Sequence, residues 1–372
     1  MPGKNLHEEK SFEAAMSEGV RLAPFTTLGV GGPARYFSEI TDASALAEGV
    51  AWARRRGLPL FVLGGGSNVV ISDSGFPGLV LRMNIRGVDA RREGGHVLIK
   101  AGAGEDWDEL VAASVADGLA GFECLSGIPG KVGATPVQNV GAYGQETSET
   151  LVSVEAYDLA TDRLVEVRAS ECEFGYRASR FKHRDRGRFI ITGVTYRLIE
   201  SGPPAIRYSE LRRYLDERGA GEPSLAETRR AVLTLRARKA MVIDPRDPDS
   251  RSVGSFFVNP VVSAGEFERI RERARELTGD ADAMPSFPAP DGHVKLSAAW
   301  LIERAGFPRG VVRGNVGTST KHALAIINRG GGTAREIIEL AREIEAGVRE
   351  TFNVTLAPEP VFVGEREDKP ND

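Results

Sequence analysis

Apolar and polar positions along this chain follow two periods, which together predict a mixture of strands and helices. Short apolar runs at 58–63, 79–83 and 96–102 are typical of strands, whereas helical spacing predicts an amphipathic helix over 107–117, closed by Gly118. These segments do not repeat as regular β-α-β units. The pattern therefore predicts an α+β fold.

Capping signals and turn residues delimit the other elements. Thr41 or Asp42 can cap a helix that ends at Gly57, and Ser224 and Glu227 have the spacing of a capping box before a helix over 224–238. We expect further strands at 69–71, 152–158, 163–168 and 189–198 and near 255–258, 324–327 and 354–364, and further helices near 264–278, 296–305 and 333–349.

The stretch 125–146, LSGIPGKVGATPVQNVGAYGQE, carries five glycines and matches neither period. It predicts a long ordered loop with one short helical turn, because glycine lets a backbone lie flat against a ligand. A plain surface linker is the alternative, but a linker has little use for Ile128, Val132 or Val140. Gln138, Asn139 and Tyr143 add amide and phenol groups that can reach the edge of a heterocycle.

A second glycine-rich segment, Gly64-Gly65-Gly66-Ser67-Asn68, joins two predicted strands. Successive backbone N–H groups in such a turn form a concavity that suits a phosphate, so we expect pyrophosphate binding here rather than a plain hairpin turn. No Lys-Ser or Lys-Thr pair follows, which argues against a Walker-type site. The Gly29-x-Gly31-Gly32 run lacks a preceding buried strand and is not a dinucleotide fingerprint.

Composition narrows the class of protein. The 372 residues suffice for two or three domains, and 41% hydrophobic with 27% charged residues is typical of a soluble globular protein. A net charge of −4 excludes a global field that attracts nucleic acid or an anionic membrane. Two cysteines and five scattered histidines have no metal-ligand spacing, so we expect no metal. No apolar run approaches 18 residues and the polar start has no signal-peptide core, which predicts a cytoplasmic protein.

Six motifs give a specific resemblance: LGGGSNVV (63–70), SGIPGKVGATPVQNVGAYGQE (126–146), FGYRASRFK (174–182), GSFFVNP (254–260), KLSAAWLIERAGF (295–307) and APEPVFVG (357–364). In order and spacing they resemble the bacterial UDP-N-acetylenolpyruvoylglucosamine reductase family, over about 22–364. The segment IRYSEL (206–211) resembles the sub-type with an extra tyrosine loop.

The resemblance implies a fold and a division into domains. The fold is a two-lobed FAD-binding domain of the vanillyl-alcohol-oxidase (PCMH) type plus a carboxy-terminal α+β substrate-binding domain. The expected segments are an amino-terminal extension (1–20), the FAD-binding domain (21–200, lobes about 21–85 and 86–200), a tyrosine loop or linker (201–219), the substrate-binding domain (220–348), and a strand returning to the FAD domain with a charged tail (349–372).

The implied reaction is the NADPH-dependent reduction of UDP-N-acetyl-3-O-(1-carboxyvinyl)-glucosamine to UDP-N-acetylmuramate through FAD, in peptidoglycan precursor synthesis. Chemistry of this kind needs a fixed cation near the substrate carboxylate and a proton donor over the adjacent carbon. In this family's motifs Arg177 corresponds to the arginine that stabilises the enolate-like intermediate, Ser255 to the proton donor, and Glu359 to the acidic partner. Without the motifs, Arg177 is most simply a surface arginine and Ser255 a strand serine.

The resemblance also assigns binding residues. Noncovalent FAD would be held by Gly64, Gly65, Gly66, Ser67, Asn68, Ser126, Ile128, Pro129, Gly133, Ala134, Gln138, Asn139, Gly141, Ala142 and Tyr143. Substrate would be held by Tyr176, Tyr208, Lys239, Asn259 and Lys295. Val258 is a departure, because the family often has lysine there, and Lys239 or Arg251 must then supply the charge.

Two other functions stay open at this point. The first is an FAD-dependent sugar or hydroxy-acid oxidase or dehydrogenase of the same flavin fold, against which GSFFVNP and APEPVFVG argue. The second is a non-catalytic flavoprotein that binds nucleotide sugars, which Arg177, Ser255 and Glu359 disfavour. In either case we expect a small-molecule ligand, no nucleic acid, no membrane insertion and a monomer.

Overall fold

A computed structural model describes residues 12–280 and 284–364. The expected amino-terminal extension as far as residue 11 and the charged tail after residue 364 lie outside the described residues. The strands are, in chain order, β1 (Ser17–Arg21), β2 (Pro33–Ile40), β3 (Leu60–Leu63), β4 (Val69–Ile71), β5 (Phe76–Met83), β6 (Val88–Glu93), β7 (His96–Gly102), β8 (Leu119–Ala120), β9 (Gly141–Ala142), β10 (Gln145–Glu146), β11 (Leu151–Asp158), β12 (Arg163–Arg168), β13 (Phe189–Glu200), β14 (Val261–Val262), β15 (Ser286–Pro288), β16 (Val294–Leu296), β17 (Val312–Arg313), β18 (Val316–Thr318), β19 (Ile326–Asn328) and β20 (Val361–Val363). The α-helices are α1 (Ala43–Arg55), α2 (Trp107–Ala116), α3 (Ser209–Asp216), α4 (Leu225–Arg238), α5 (Ala264–Thr278), α6 (Ala298–Arg304) and α7 (Ala334–Phe352).

The described residues form two compact units. The first unit comprises 12–20, 33–66 and 76–242, and the second comprises 21–32, 67–75, 243–280 and 284–364. This division differs from the domain boundary expected at 219–220, because α4 packs inside the first unit. It also gives two short early segments to the second unit, because β4 pairs with β20 and the Asn328 side chain donates a hydrogen bond to the Leu28 carbonyl.

The first unit contains two larger sheets besides the short pair of β9 and β10. Strands β2, β5 and β3 are parallel, in the order β1-β2-β5-β3, and α1 begins where the Asp42 carboxylate accepts hydrogen bonds from the amides of Ser44 and Ala45. The second sheet is antiparallel, in the order β12-β11-β13-β7-β6, with β8 also pairing β13. One hydrophobic core includes residues of both sheets.

The segment 201–219, expected as a loop or linker, contains helix α3. Leu211, Tyr214 and Leu215 are buried on one side of α3 and pack with Val232 and Leu235 of α4. The polar composition of the segment hid this helix, because its few apolar residues are stabilised only when α4 lies against them. The capping box predicted for α4 is confirmed, with the Ser224 hydroxyl accepting from the Glu227 amide.

The second unit is built from short sheets around α7. Its sheets have the orders β14-β16-β15 and β17-β18-β19, and β4 pairs in parallel with β20. The strand predicted near 255–258 does not form. Of the strand predicted at 354–364, only the part that is β20 forms. Both regions contain an isolated bridge, Phe257 to Pro358, in which the proline has no N–H to extend a ladder.

The α+β prediction is confirmed. The short helical turn predicted inside the long loop is also present, at Val132–Ala134. Both cysteines are free and buried, so no disulfide joins them. Among the described residues, no helix has the length and apolar character needed to cross a bilayer.

The ion pair between Asp108 of α2 and Arg229 of α4 is expected to make the free energy of unfolding depend on pH in the acid range. Burial by itself raises the pKa of Asp108. Two hydrogen bonds from Arg229, at 2.6 and 2.9 Å, and one from the Gly127 amide together lower the pKa by more than burial raises it, so the net pKa lies below the ordinary 3.8. A lowered folded-state pKa contributes stability above the unfolded pKa, and this stability is lost as the pH falls through the folded value.

We expect Asp108→Asn to lower the free energy of unfolding by about 1–2 kcal/mol at pH 7, because a partly exposed charge-assisted pair is broken. The difference from the unsubstituted protein should shrink as the pH falls below about 4, where Asp108 is protonated in both states. Urea unfolding at several pH values measures it. Asp117→Asn, on an exposed residue at the end of the same helix, is the matched control. A difference that does not change with pH would contradict the assignment.

Candidate functional site

The glycine turn and the long loop meet inside the first unit. A Cβ atom added to Gly65 would lie 2.7 Å from the Cα atom of Gly130, a separation that real Cβ atoms do not show. Gly65 therefore has to be glycine for the turn after β3 to lie against the segment that contains Pro129 and Gly130. The structure thus brings together two segments that the sequence assigns separately to one cofactor.

The turn offers donors suited to an anion. In the described part of the chain, neither the Gly64 nor the Gly65 amide N–H forms a hydrogen bond with another residue. Gly66 has a positive φ of 63°, which turns the backbone sharply after these two amides. Adjacent free N–H groups at a turn form the concavity that binds phosphate oxygens, so these residues fit the diphosphate of FAD.

The long loop is held rigidly by the core beneath it. The Trp107 ring lies 4.9 Å from Phe122 and 5.8 Å from Tyr196, and the Trp107 indole donates to the Leu125 carbonyl at 3.3 Å. The Tyr196 and Thr135 hydroxyls hydrogen-bond at 2.7 Å. Because the Trp107 and Tyr196 rings are buried and each hydrogen-bonds the loop through its polar end, the core fixes both the start and the middle of the loop.

Several of the assigned cofactor residues are fixed by close backbone packing. The Ser126 hydroxyl donates to the Glu123 carbonyl at 2.7 Å, and a Cβ atom on Gly133 would lie 2.6 Å from Cβ of Ala103. Gly141 and Ala142 form β9, which pairs with β10. The contact at Gly133 indicates why a glycine stands there, because a Cβ atom would collide with Ala103.

Asn139 is a structural residue of the loop. It is 1% exposed with a φ of 45°, its Nδ2 donates to Glu146 Oε2 at 2.8 Å and to the Gly175 carbonyl at 3.1 Å, and its Oδ1 accepts from the Ser148 amide at 3.0 Å. A left-handed conformation costs about 1 kcal/mol or more, which three buried hydrogen bonds of about 1 kcal/mol each offset. Both ends of the amide serve the fold, so Asn139 shapes the site from beneath.

Arg177 lies against the same part of the loop. Its Nη2 atom donates to the Gly141 carbonyl at 2.6 Å, and its guanidinium lies 5.3 Å from the ring centroid of exposed Tyr176. Arg177 has a φ of 52° and stands in a two-residue turn closed by hydrogen bonds between Gly175 and Ala178. Residues held in such strained backbone conformations cluster at functional sites, so the backbone of Arg177 supports a functional hypothesis for this residue beside the long loop.

Tyr143, Tyr208 and Lys239 form a second group in the first unit. The two rings are 5.5 Å apart at 87°, and Lys239 Nζ lies 6.0 Å from the Tyr143 ring and 2.7 Å from Glu210 Oε2. Burial raises the pKa of both phenols, with the Glu210 charge adding to it, so both remain hydrogen-bond donors at neutral pH. Two donors beside an ammonium group suit an anionic oxygen.

In the second unit, Ser255 lies in a segment held from both sides. The Phe256 amide donates to the Leu324 carbonyl at 2.8 Å, and the Phe256 carbonyl accepts from the Glu359 amide at 2.9 Å. The Phe256 and Phe257 rings are fully buried, which anchors the half-buried Ser255 at the edge of the core.

Glu359 is positioned by the same pairing and by Asn68. The Asn68 side-chain amide donates to the Glu359 carbonyl at 3.2 Å, and the Asn68 carbonyl accepts from the Val361 amide at 3.0 Å. Asn68 was assigned to the cofactor, and its contacts here also fix the backbone that carries Glu359. The structure therefore brings Ser255 and Glu359 onto neighbouring, directly bonded segments.

The other substrate residues of the second unit have structural contacts. Asn259 Oδ1 accepts from the Ala298 amide at 2.9 Å at the start of α6, and Lys295 pairs with Val261 and Phe287 in the sheet, its Nζ 5.8 Å from the Phe287 ring. Arg251, one candidate for the charge missing at Val258, is exposed.

Two residues near the long loop 125–146 were not identified as site residues from the sequence. Glu123 is fully buried, and its carboxylate accepts from the amides of Gly121 and Ala205 and from the Gln145 side chain. Arg236 on α4 lies beside Gly127, with its Nε atom 3.5 Å from the position of a Cβ there. Helical spacing gave a signal for Arg236, because it follows buried Val232 by four residues. Nothing in the sequence marks Glu123.

Comparison with known proteins identifies the family. Residues 34–168 match the profile of an FAD binding domain, and residues 245–363 match that of the UDP-N-acetylenolpyruvoylglucosamine reductase C-terminal domain. The second match begins close to residue 243, where the main part of the second unit begins. The two profiles thus fall in the regions that carry the glycine loops and the Ser255 and Glu359 segments.

Similarity to individual proteins extends over nearly the whole chain. A UDP-N-acetylenolpyruvoylglucosamine reductase from Thermobifida fusca is 49% identical over 352 residues, covering 94% of this chain and 98% of the relative. One from Saccharopolyspora erythraea is 48% identical, covering 94% and 96%. The crystal structure of the enzyme from Thermus caldophilus is similar with a TM-score of 0.64 at 26% identity, covering 94% and 99%. This chain belongs to the UDP-N-acetylenolpyruvoylglucosamine reductase family.

Proposed function

We propose that this chain reduces UDP-N-acetyl-3-O-(1-carboxyvinyl)-glucosamine to UDP-N-acetylmuramate with NADPH, in peptidoglycan precursor synthesis. The observation that carries the proposal is the pair of domain matches combined with 49% identity over 94% of the chain. The relatives are reductases over their full length, so the similarity covers every region that the reaction needs.

FAD is the cofactor, and the first unit offers residues that would hold it. The amides of Gly64 and Gly65 would bind the diphosphate, and the backbone of 126–143 would line the remainder. Bound there, FAD would supply the hydride-transfer chemistry that links NADPH to the methylene carbon of the substrate. The contacts at Gly65 and Gly133 leave no room for a Cβ atom between the packed segments.

Arg177 is the residue that we assign to the substrate carboxylate. As hydride arrives at the substrate, negative charge builds on that carboxylate in an enolate-like species. A guanidinium remains charged at every physiological pH and binds both carboxylate oxygens together. The Gly141 carbonyl accepts a hydrogen bond from Nη2 at 2.6 Å. Part of the conformational entropy of this side chain is therefore already lost before substrate binds.

Ser255 and Glu359 complete the proton chemistry. Ser255 donates a proton to the carbon next to the carboxylate. The buried Phe256 and Phe257 that follow it, with the backbone bonds of Phe256 to Leu324 and Glu359, fix the segment that carries the hydroxyl. Glu359 is the acidic partner that acts on the same intermediate. Pro360 after it and the hydrogen bond from Asn68 fix the direction of its backbone.

The remaining substrate contacts follow from charge. Tyr208 and Lys239 are assigned to the diphosphate, because a protonated phenol and an ammonium group lie in one cluster. Glu210 neutralises Lys239 at 2.7 Å, so an incoming diphosphate competes with a carboxylate for this ammonium. We assign Tyr176, Asn259 and Lys295 to the sugar nucleotide as well. The substrate and NADPH are cytoplasmic metabolites, and we propose a monomeric cytoplasmic enzyme.

The proposed function is tested by an absorbance titration without oxygen. We expect NADPH to bleach the flavin of the purified protein and the enolpyruvyl sugar nucleotide to restore its colour promptly. Bleaching that only oxygen reverses would overturn the proposal and favour a sugar or hydroxy-acid oxidase. A protein that stays colourless after incubation with FAD would exclude both enzymes.

Gly65→Ala tests the contact between the two cofactor loops. The added Cβ atom would lie 2.7 Å from Cα of Gly130, so one loop must shift at a cost of about 1–3 kcal/mol. We expect FAD affinity, measured by equilibrium dialysis, to fall about tenfold or more. Gly221→Ala is the control, because that glycine faces open space. Unchanged affinity in the Gly65 variant would separate this turn from the cofactor.

Ser255→Ala tests the proton donor. Stopped-flow measurement of the two half-reactions should show flavin reduction by NADPH nearly unchanged and reoxidation by substrate slowed about 10²–10⁴-fold, the usual contribution of a positioned general acid. Ser286→Ala, on an exposed serine of the same unit, should leave both rates unchanged. Equal losses in both half-reactions would refute the assignment of Ser255.

A further inference from the structure

Lys182 is the last residue of the motif FGYRASRFK, and it bonds the backbone of Arg177. Its Nζ atom donates to the Arg177 carbonyl at 3.1 Å, and the residue is half-buried. Most lysines of folded proteins keep the ammonium group in water, so a half-buried lysine bonded to a backbone carbonyl calls for a physical account. The conformation of Arg177 supplies that account.

Arg177 has a backbone conformation that it does not favour by itself. It is the third residue of the turn 175–178, and its φ is 52°. A positive φ at the third position of a turn favours glycine or asparagine, because the Cβ atom of most other residues is crowded there. Without support from its surroundings, the backbone of Arg177 would return to a negative φ, and the guanidinium would point in another direction.

Three hydrogen bonds hold this turn in place. The Asn139 side chain donates to the Gly175 carbonyl at 3.1 Å, and the Arg177 Nη2 atom donates to the Gly141 carbonyl at 2.6 Å. The third bond, from Lys182, is made to the carbonyl of the strained residue, and it fixes the peptide group that follows Arg177. This bond therefore stabilises the strained conformation directly, whereas the other two hold the start of the turn and the tip of the arginine side chain.

Lys182 is itself anchored to the long loop, through Ser179. The Lys182 amide donates to the Ser179 carbonyl at 3.2 Å and to the Ser179 hydroxyl oxygen at 3.3 Å. Ser179 is 2% exposed, and its hydroxyl donates to the Val137 carbonyl of the long loop at 2.5 Å. The base of the lysine side chain is therefore fixed before any ligand binds, which reduces the conformational entropy lost when Lys182 bonds Arg177.

We propose that Lys182 is a positioning residue for substrate reduction, because it holds Arg177 in the strained conformation that presents its guanidinium to the substrate carboxylate. In this role Lys182 does not need to touch substrate or flavin. It keeps a costly backbone conformation populated, so the guanidinium meets the developing negative charge without first reorganising. The inference rests on the proposed function, since it depends on the role assigned to Arg177.

The experiment compares full-length Lys182→Met and Lys182→Arg with Lys100→Met, which removes an equal charge from an exposed residue of β7. Stopped-flow absorbance follows the two half-reactions without oxygen. We expect Lys182→Met to slow flavin reoxidation by the enolpyruvyl sugar nucleotide about ten- to hundredfold, the usual effect of losing a charge-assisted hydrogen bond, and to leave flavin reduction by NADPH nearly unchanged. Lys182→Arg keeps a charged donor and should restore part of the rate, and Lys100→Met should match the unsubstituted protein.

A double variant separates positioning from a general effect of charge. If Lys182 acts through Arg177, adding Lys182→Met to Arg177→Met should slow reoxidation little further, because the guanidinium to be positioned is already gone. The two single losses would then not be additive. Additive losses would mean that the ammonium group acts on the substrate by itself, and they would overturn the proposal.

The melting temperature and the spectrum of the bound flavin show whether each variant is folded. Lys182→Gln keeps a neutral donor on a shorter side chain, and we expect the same pattern from it if Lys182→Met does not fold. A folded Lys182→Met protein that loses both half-reactions equally, or that is reoxidised as fast as the unsubstituted protein, would overturn this inference and leave the proposed function standing. If the unsubstituted protein is not reoxidised by the sugar nucleotide, the proposed function and this inference both fail.

Discussion

The close approach of one backbone to another at glycine is the constraint on which the first unit depends. Gly65 lies against Gly130, and Gly133 lies against Ala103, at separations that leave no room for a Cβ atom. Each contact lets one loop lie directly against its neighbour, and in the described part of the chain the amides of Gly64 and Gly65 form no hydrogen bond with another residue. A turn of ordinary residues would stand farther off, and the two loops would not form one surface.

Buried polar groups then make that surface rigid. Glu123 and Asn139 are almost fully buried, and each bonds three partners, at least one of which is distant along the chain. Such bonds contribute only about 1 kcal/mol each, but leaving a buried polar group unmatched costs about 1–3 kcal/mol. The loop therefore has one satisfied arrangement and many costly ones. This difference keeps Tyr143 and Arg177 in left-handed backbone conformations that neither residue favours alone.

The second unit fixes its residues differently, through backbone pairing on both sides of one short segment. Ser255 precedes Phe256, whose amide and carbonyl bond the Leu324 and Glu359 segments respectively. Because the two phenylalanine rings are buried, the segment cannot slide without exposing them. Asn68 extends the pairing to Glu359 and Val361. A hydroxyl and a carboxylate proposed for one reaction are thus held by a hydrogen-bonded framework that tolerates little movement.

Local signals in the sequence determined much of the fold. Asp42 and Ser224 cap the helices that they were predicted to cap, and apolar runs gave β3, β5 and β7 within two or three residues. The α+β class, the family and the glycine loops also followed from residue order, because caps, turns and motifs act over a few neighbouring positions. The sequence alone did not show α3, the pairing of β4 with β20, the structural bonds of Asn68 and Asn139, or the buried Nε atom of Arg236 that lacks a partner among the described residues. Each of these depends on a partner distant along the chain, and only tertiary packing decides which distant groups meet and which polar atoms remain without a partner.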